Sequence, residues 1–216
     1  MLIGRFGFTS AAREEARRLE PISVELLDIS GLEAWIRRLG FGQPPNATRI
    51  QLSIRSISHE FAKLVAANPA SLDHLEWRDL ERMMARVMEG IGFSTILTPP
   101  SKDGGKDLIL ICDATNGKES FIVELKHWRS GKRVGKESVS DCIQVIVAEK
   151  RSGGLFLSTS GYAGDAFEGL AEITRQRIRF GNRAKVVLLA QTYTRACQGL
   201  WSPPAALPDI LFEATA

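Results

Sequence analysis

Two carboxylates and a lysine stand close together on a predicted β-hairpin, and their spacing could support metal-dependent hydrolysis. Asp107 follows the segment Asp103–Lys106, and Glu124 and Lys126 stand two residues apart in a later apolar run. Side chains two apart on a strand share a face, so Glu124 and Lys126 would point the same way. A carboxylate pair can hold Mg²⁺, which lowers the pKa of a bound water and polarises a phosphodiester. Lys126 would orient that water or offset transition-state charge.

The hairpin that would position these groups is predicted by its turn. Residues 108–112 form a continuous apolar run, as expected of a strand covered on both faces. Asn116–Gly117 favours a type I′ turn, because that turn needs positive φ at both central residues. With residues 121–128 as the return strand, an antiparallel pairing can bring Asp107 opposite Glu124. The alternative is an ordinary surface hairpin, since Glu-x-Lys alone is a common tripeptide whose charges contribute little.

A helix upstream supplies a further carboxylate. Residues 75–92 carry apolar side chains at helical spacing, and Gly90 and Gly92 are plausible terminators. Glu81 lies in or beside the apolar stripe that should face the sheet, where an unpaired charge is expensive. Two alternatives stay open: Glu81 supports the metal site, or it forms a salt bridge to Arg78 or another cation. The methionines of this helix are interpreted as core residues.

The order of these motifs resembles the Mrr-type restriction endonucleases, a branch of the PD-(D/E)xK nuclease superfamily. The resemblance runs from about Pro69 to Leu189 and is carried by residues 77–81, 103–107, 123–128 and 153–162. It implies a Mg²⁺-dependent enzyme in which Mn²⁺ can substitute. The implied catalytic residues are Asp107, Glu124, Lys126 and Glu81, and the implied metal ligands are the three carboxylates among them. Asp107 is favoured over Asp103 because the family's aspartate follows the glycines, and Lys106 stands where an apolar residue is usual.

The remaining segments predict an α/β fold. Residues 139–148 and 165–173 are predicted helices, and residues 154–158 and 184–189 are predicted strands. This alternation favours right-handed crossovers and parallel pairing in a mixed sheet. With the resemblance, it predicts a restriction-endonuclease-like core, a mixed central β-sheet flanked by helices on both faces. Gln144 could face the active site, although a buried, hydrogen-bonded structural glutamine is the favoured interpretation.

Four segments are predicted along the chain. Residues 1–39 would form an N-terminal α/β extension, whose strand and helix order resembles the closing part of a degenerate Mrr-like domain. Residues 40–56 would be a linker, because residues 40–46 are rich in glycine and proline. Residues 57–200 would be the nuclease domain, opening with a helix from Ile57 to Asn68, and residues 201–216 a tail. The chain is interpreted as a possible truncated product of a longer gene.

Basic residues follow the predicted active-site strand. The net charge of +3 is too small to indicate a polyanionic partner by itself. Local clustering is more informative, because cations in a glycine-containing loop can clamp DNA phosphates and make binding salt-dependent. The predicted DNA contacts are Lys106, Arg129, Lys132, Arg133 and Lys136. A second basic run over residues 175–185 is interpreted as solvated surface charge, and His127 and Trp128 as packing residues.

The cysteines and the hydropathy indicate the compartment. Cys112, Cys142 and Cys197 are odd in number and widely spaced, which favours core residues in a reducing compartment over disulfides or a zinc site. No apolar run approaches the length of a membrane span, and the first residues lack a signal-peptide pattern. The sequence therefore predicts a cytoplasmic protein without a membrane partner.

These features together predict a metal-dependent DNA endonuclease, and the resemblance to the Mrr-type enzymes implies that it restricts foreign or modified DNA. A non-cleaving DNA-binding module with the same fold, and a nuclease for RNA or branched DNA, are the alternatives. The intact set of Asp107, Glu124 and Lys126 favours the enzyme, because DNA binding alone does not require all three. A single active site cuts one strand per event, so double-strand cleavage would suggest a homodimer.

Overall fold

The computed structural model describes residues 2–4, 7–18, 24–38, 46–99, 106–114, 117–128, 130–170 and 177–215. Within these ranges the chain divides into two compact units, residues 1–53 with 195–202, and residues 54–194 with 203–216. Several predicted features lie outside the described residues: the Asp103–Gly105 turn, Asn116, Arg129 and most of the glycine- and proline-rich part of the linker.

The first unit contains a short parallel strand pair with helices after each strand. β1 (Leu2–Ile3) pairs in parallel with β2 (Leu26–Leu27), and α1 (Ser10–Arg18) and α2 (Ile29–Arg38) follow them in turn. Asp28 accepts a hydrogen bond from the backbone N–H of Gly31 (2.7 Å) and so caps the start of α2. The predicted order of strands and helices over residues 1–39 is present, whereas the internal-repeat interpretation stays a prediction.

The larger unit holds the elements that position the predicted site. In chain order, the elements that follow α2 are α3 (Asn46–Ala67), a 3₁₀ helix (Pro69–His74), α4 (Trp77–Ile91), β3 (Ser94–Leu97), β4 (Leu108–Ala114), β5 (Gly117–Lys126), α5 (Lys136–Ala148), β6 (Gly153–Ser158), β7 (Ile178–Asn182), α6 (Arg183–Cys197) and α7 (Asp209–Phe212). None of the helices in this described part of the chain, nor those before it, combines the length and hydropathy needed to cross a membrane.

A five-stranded mixed sheet is the centre of this unit, in the order β3-β4-β5-β6-β7. β3, β4 and β5 pair antiparallel, whereas β5, β6 and β7 pair in parallel. The parallel pairing follows from α5, which connects β5 to β6 as a crossover helix. The predicted fold class, a mixed α/β sheet flanked by helices, is confirmed.

The core of this unit is formed by α4 and the sheet strands. Leu80, Met83, Met84, Val87 and Met88 of α4 are fully buried, so the methionines are core residues as predicted. Burying each such side chain stabilises the fold by roughly 1.5–3 kcal/mol. A second apolar cluster lies between α5 and strands β5, β6 and β7. Glu81 stands among the buried residues of α4, so the packing of this helix on the sheet positions its carboxylate.

Three predicted elements were wrong. Residues 184–189 were predicted as a strand but lie in α6, because a short apolar run has the same pattern in a buried helix as in a strand. The strand precedes this run, at Ile178–Asn182. α3 begins at Asn46 rather than Ile57, so residues 46–56 of the predicted linker are helical. Residues 164–169 form turns rather than the start of the helix predicted from Asp165.

Candidate active site

The antiparallel register of the hairpin brings Asp107 beside Glu124. Leu108 pairs with Val123, so the residue before β4 lies opposite the residue after Val123. The ladder continues to Asp107, whose N–H donates to Val123 O (3.0 Å) and whose carbonyl accepts from Thr98 N (2.9 Å). Its side-chain Oδ2 accepts from the backbone N–H of Leu125 (2.7 Å). The carboxylate is therefore fixed at the edge of the hairpin where the sequence predicted it.

Glu124 is a buried carboxylate with one unsatisfied oxygen. Its exposed fraction is 2 %, and Oε1 pairs with the ammonium of Lys126 two residues along β5. Oε2 is buried and has no hydrogen-bond donor among the described residues. The Asp107 carboxyl lies within hydrogen-bonding reach of Glu124, but two ionised carboxylates repel and can share a hydrogen bond only when one of them is protonated. Buried polar atoms are satisfied in the large majority of cases, and an orphaned carboxylate oxygen calls for a missing donor or cation.

The carboxyl groups of Glu81, Asp107 and Glu124 interact with one another, and the pKa of each is raised. Burial raises the pKa of Glu124 to about 7, and the negative charge of Asp107 adds to the rise, against the opposing Lys126. Burial likewise raises the pKa of Glu81 to about 7, again with Asp107 adding to it. The pKa of Asp107 is raised by burial, although its bonds to the Leu125 N–H and to Glu81 oppose the shift. Near neutral pH the cluster therefore takes up protons unless a cation is present.

Lys126 is held in its charged form. Burial alone would lower the pKa of its ammonium, but the charges of Glu124 and Asp107 outweigh burial and raise it. A lysine that stays protonated cannot act as a general base at neutral pH. It can donate hydrogen bonds and offset negative charge, which is the role that the sequence predicted for it.

Glu81 takes part in both of the arrangements that the sequence left open. Arg78 donates to Glu81 through Nη1 and to Thr98 O through Nη2 (3.0 Å). Burial raises the pKa of the Glu81 carboxyl and the charge of Asp107 raises it further, so Glu81 also interacts with the cluster. Arg78 thereby compensates the charge of Glu81 and ties α4 to the backbone beside Asp107. The salt bridge and the contact with the cluster therefore coexist.

The available ligand atoms fit a magnesium ion held by two carboxylates and water better than they fit a metal ion enclosed entirely by protein ligands. Among the described residues, no three His, Cys, Asp or Glu side chains are grouped as a ready set of metal ligands. Mg²⁺ does not need one, because it keeps several waters and takes one or two carboxylates plus phosphate oxygens. The unsatisfied Oε2 of Glu124 and the neighbouring Asp107 supply that pair, while Arg78 occupies Glu81.

A cleft of about 520 Å³ opens beside Glu124 and Lys126. Its other wall is one face of α5, with Ser138, Asp141 and Gln144 at helical spacing. The interpretation of Gln144 as a buried structural residue was wrong, because the side chain is exposed and lines this cleft. The sequence analysis missed Ser138 and Asp141, although their spacing from Gln144 in the predicted helix could have placed all three on one face.

The residues predicted to contact DNA are placed differently from one another. Lys132, Arg133 and Lys136 are exposed between β5 and the first turn of α5, close in the chain to Lys126. Lys106 instead pairs with Glu149, which also binds Arg151 (2.7 Å). Arg129 lies outside the described residues. Three of the five cations are thus exposed, and their contact with DNA stays a prediction.

The second basic run was predicted to be solvated surface charge, but two of its cations are bound within the fold. Arg183 pairs with Asp73 (2.7 Å) and donates to Pro69 O (2.8 Å), which ties the start of α6 to the 3₁₀ helix. Lys185 is buried, and it donates to Ile210 O (2.6 Å) and to Glu213 O. Burial lowers the pKa of Lys185 to about 8. These two cations are bound within the fold, because they donate to its carbonyls and to a carboxylate.

Comparison with known proteins gives one family match and one long relative. The family model Mrr_cat, described as "Restriction endonuclease", matches residues 72–190, which include the four predicted catalytic positions. A protein of Sinorhizobium fredii (strain NBRC 101917 / NGR234), called "Uncharacterized protein y4cE", is 43% identical over 212 residues. The alignment covers 98% of this chain and 54% of that protein, so the chain spans about half the length of this relative.

Three solved restriction endonucleases overlap with the chain. AspBHI, a DNA modification-dependent restriction endonuclease, is 17% identical with a TM-score of 0.37, covering 68% of this chain and 38% of its own. MspJI, solved with a 27-mer oligonucleotide, is also 17% identical with a TM-score of 0.37, covering 80% and 37%. FokI is 9% identical with a TM-score of 0.40, covering 62% and 28%.

Proposed function

Since the chain belongs to the Mrr_cat family of restriction endonucleases, we propose that it is a metal-dependent DNA endonuclease that hydrolyses phosphodiester bonds and restricts foreign or modified DNA. One observation carries the metal dependence: the buried Oε2 of Glu124 has no hydrogen-bond donor among the described residues, and Asp107 and Lys126 stand beside it. A divalent cation would satisfy that oxygen and remove the repulsion between the two carboxylates.

Each residue of the cluster has a proposed role. Asp107 and Glu124 would hold Mg²⁺, for which Mn²⁺ can substitute. Glu81, itself paired with Arg78, would hydrogen-bond to the water shell on the side of α4. When bound, the metal would supply an acidified water and polarise the phosphodiester. The Leu125 N–H keeps the Asp107 carboxylate in place throughout, so the site is organised before the substrate arrives.

Lys126 would stabilise the charge that develops on the phosphate. Its ammonium pairs with Glu124 and stays protonated, so it can donate to the attacking water or to a phosphate oxygen. A preorganised cation in a site of low dielectric stabilises a transition state more than a solvated one does. Removing one such group from an active site typically lowers the rate by about 100-fold to 1,000-fold.

DNA would approach along the exposed cations between β5 and α5. Lys132, Arg133 and Lys136 would contact phosphates on either side of the cleft, and Arg129 is proposed with them from its place in the chain. Lys106 would join them by leaving Glu149. Phosphate contacts position the duplex without reading its sequence, and each of them steepens the salt dependence of binding.

The domain plan and the location belong to the same proposal. Residues 57–200 would be the nuclease domain, residues 1–39 a non-catalytic extension, residues 40–56 a connection that is helical from Asn46, and residues 201–216 a tail. All three cysteines carry free thiols, which supports a cytoplasmic location.

Cleavage of a supercoiled plasmid tests the function. With Mg²⁺ or Mn²⁺ the native chain should nick the plasmid, a chelator should stop it, and Asp107→Ala or Lys126→Ala should lower the nicking rate by about 100-fold or more. Asp113→Ala and Lys118→Ala are matched controls, because these exposed residues lie opposite each other in the strand register at the other end of the same hairpin. The controls should cleave like the native chain.

Two results would move the conclusion elsewhere. If unmodified plasmid stays intact while methylated plasmid is cut, the substrate is modified DNA. If no DNA is cut with either metal and salt-sensitive binding persists, the chain is a non-cleaving DNA-binding module. Cleavage confined to RNA or branched DNA would replace the substrate class and leave the catalytic residues as proposed.

A further inference from the structure

A small pocket lined by two tryptophans lies directly after the active-site strand. It holds about 230 Å³, and its walls are Glu76, Trp77, His127, Trp128 and Ser130. His127 and Trp128 follow Lys126 in the chain, so the backbones of Lys126 and Trp128 are at most about 7 Å apart. We propose that this tryptophan pocket binds one unpaired nucleobase of the strand whose phosphodiester lies at Lys126. This inference rests on the proposed nuclease function.

The pocket is held open by hydrogen bonds of His127. The ring accepts or donates at both nitrogens: Nε2 is 3.0 Å from Leu75 O, and Nδ1 is 2.6 Å from Thr159 Oγ1. A carbonyl only accepts, so Nε2 carries the proton and Nδ1 accepts from the Thr159 hydroxyl. His127 thereby joins the end of β5 to the segment before α4. A preformed wall lowers the ordering cost of binding a flat ligand.

The two indoles differ in how firmly they are held. Trp128 packs against the apolar cluster between α5 and the sheet, which fixes its ring. Trp77 stands at the first turn of α4 with 51 % of its surface exposed. A single exposed tryptophan would be unremarkable on its own. Two indoles in one concave site offer a stacking surface to a base, since every base presents a π-face.

A cation beside the tryptophan pocket favours a phosphate at its edge. Glu76 is part of the lining. Lys132 Nζ lies over the Trp128 ring, 4.9 Å from its centroid. A base that stacks on Trp128 would displace this ammonium, whose exposed cation–π contact contributes only about 1 kcal/mol or less. The freed ammonium could then pair with the phosphate attached to that base.

The size of the tryptophan pocket suits an occupant as small as a single base. Pockets for drug-sized ligands hold roughly 300–1,000 Å³, and this one is smaller. A paired base cannot enter it, because the ring must leave the stack and lose its pairing. The occupant is therefore a base from a melted, mismatched or single-stranded segment next to the cleavage position.

Binding of two decamers by fluorescence anisotropy tests the tryptophan pocket without catalysis. One is a labelled thymidine decamer, and the other carries the same phosphates with abasic residues throughout. The native chain, with chelator present, should bind the thymidine strand roughly 5- to 150-fold more tightly, as expected for stacking of one base. Trp77→Ala should lower the affinity for thymidine toward that for the abasic strand and leave the affinity for the abasic strand unchanged, because one of the two stacking rings is lost.

Matched variants separate loss of stacking from loss of folding. Trp201→Ala removes a tryptophan outside the tryptophan pocket and should keep the preference for bases. Trp128→Phe keeps a ring in the core cluster and should reduce the preference without abolishing it. Trp77→Phe should restore part of what Trp77→Ala loses. A uridine decamer distinguishes an RNA strand from a DNA strand as the source of the base.

Equal affinity of the native chain for both decamers would overturn the inference, and so would a preference that Trp77→Ala leaves undiminished. These outcomes are separable from failure of the nuclease. A chain that nicks plasmids but shows no preference for bases is a nuclease without this pocket function. A chain that prefers bases through Trp77 and cuts nothing has the pocket and lacks the proposed activity.

Discussion

At the scale of single residues, Glu124 carries an energetic cost that the rest of the fold does not offset. A carboxyl whose pKa rises to about 7 on folding prefers its neutral form, because burial and Asp107 both disfavour the charge. One pKa unit corresponds to 1.36 kcal/mol, so the rise from 4.5 costs up to about 3 kcal/mol once the group is ionised. Such a group is retained for binding a cation rather than for stability.

Glu124→Gln should therefore stabilise the metal-free chain in a pH-dependent way. The folded pKa lies above the unfolded one, so the native state holds more protons between pH 4.5 and about 7 and loses stability as pH rises through that window. At pH 7.5 the free energy of unfolding of the variant should exceed that of the native chain by up to about 3 kcal/mol, and near pH 4.5 the two should differ little. Urea unfolding with chelator present measures both. Glu119→Gln on the same strand is the control, and an equal effect at both pH values would contradict the argument.

The sequence was sufficient for the strand-borne residues of the site and insufficient for the helical ones. Asp107, Glu124 and Lys126 could be placed together because a hairpin register and a period of two fix both neighbours and faces. The surroundings of Glu81 depend on how α4 sits on the sheet, which spacing along a helix does not determine. Gln144 was assigned to the interior for the same reason: an amphipathic pattern with β-branched residues on several faces leaves the buried side undecided.

At the scale of elements, the prediction of a segment was correct where its residue pattern is compatible with only one type of secondary structure. The β4–β5 hairpin combines a turn signal with a strand-like return run, and it formed as predicted. The apolar run in α6 is compatible with a strand or with a buried helix, and the length of the buried pattern distinguishes the two. Buried positions recur with a helical period at Val186, Leu189, Ala190 and Tyr193, and this pattern extends over more residues than the predicted strand. The strand β7 was not predicted because it contains Gly181, and glycine weakens the strand pattern in a sequence. Leu157 and Lys185 approach this glycine closely, which leaves no room for a side chain.

Gly90→Ala should destabilise the contact between α4 and α6. A Cβ there would overlap the ring of Tyr193, which is fully buried and whose hydroxyl is bonded to His59 Nδ1 (2.7 Å), so the ring cannot move away. Overpacking costs about 1–3 kcal/mol and exceeds the helix-propensity gain of at most about 1 kcal/mol. Thermal or urea unfolding should show the loss. Gly164→Ala, where a Cβ meets nothing within 4 Å, should stay within about 0.5 kcal/mol of the native chain, and a stabilised Gly90→Ala would refute the steric argument.

At the scale of the whole molecule, one site per chain limits what a monomer can do to a duplex. The described residues contain one cluster of Asp107, Glu124 and Lys126, and a single hydrolytic site cuts one strand per event. Cutting both strands in one encounter needs a second copy of the chain, and a two-fold dimer would present two sites of opposite polarity, as the two strands require.

Linearisation of a plasmid should therefore depend on protein concentration more steeply than nicking does. Nicking should rise in proportion to the concentration of the chain, and linear product approximately with its square. Excess Lys126→Ala chain should suppress linear product while nicked product continues to form, because a mixed dimer retains one working site. Excess Lys118→Ala chain, as a matched control, should leave linearisation intact. Sedimentation that detects only monomer on DNA, together with linearisation that is first order in protein, would contradict the dimer, since each encounter would then cut both strands without a second copy.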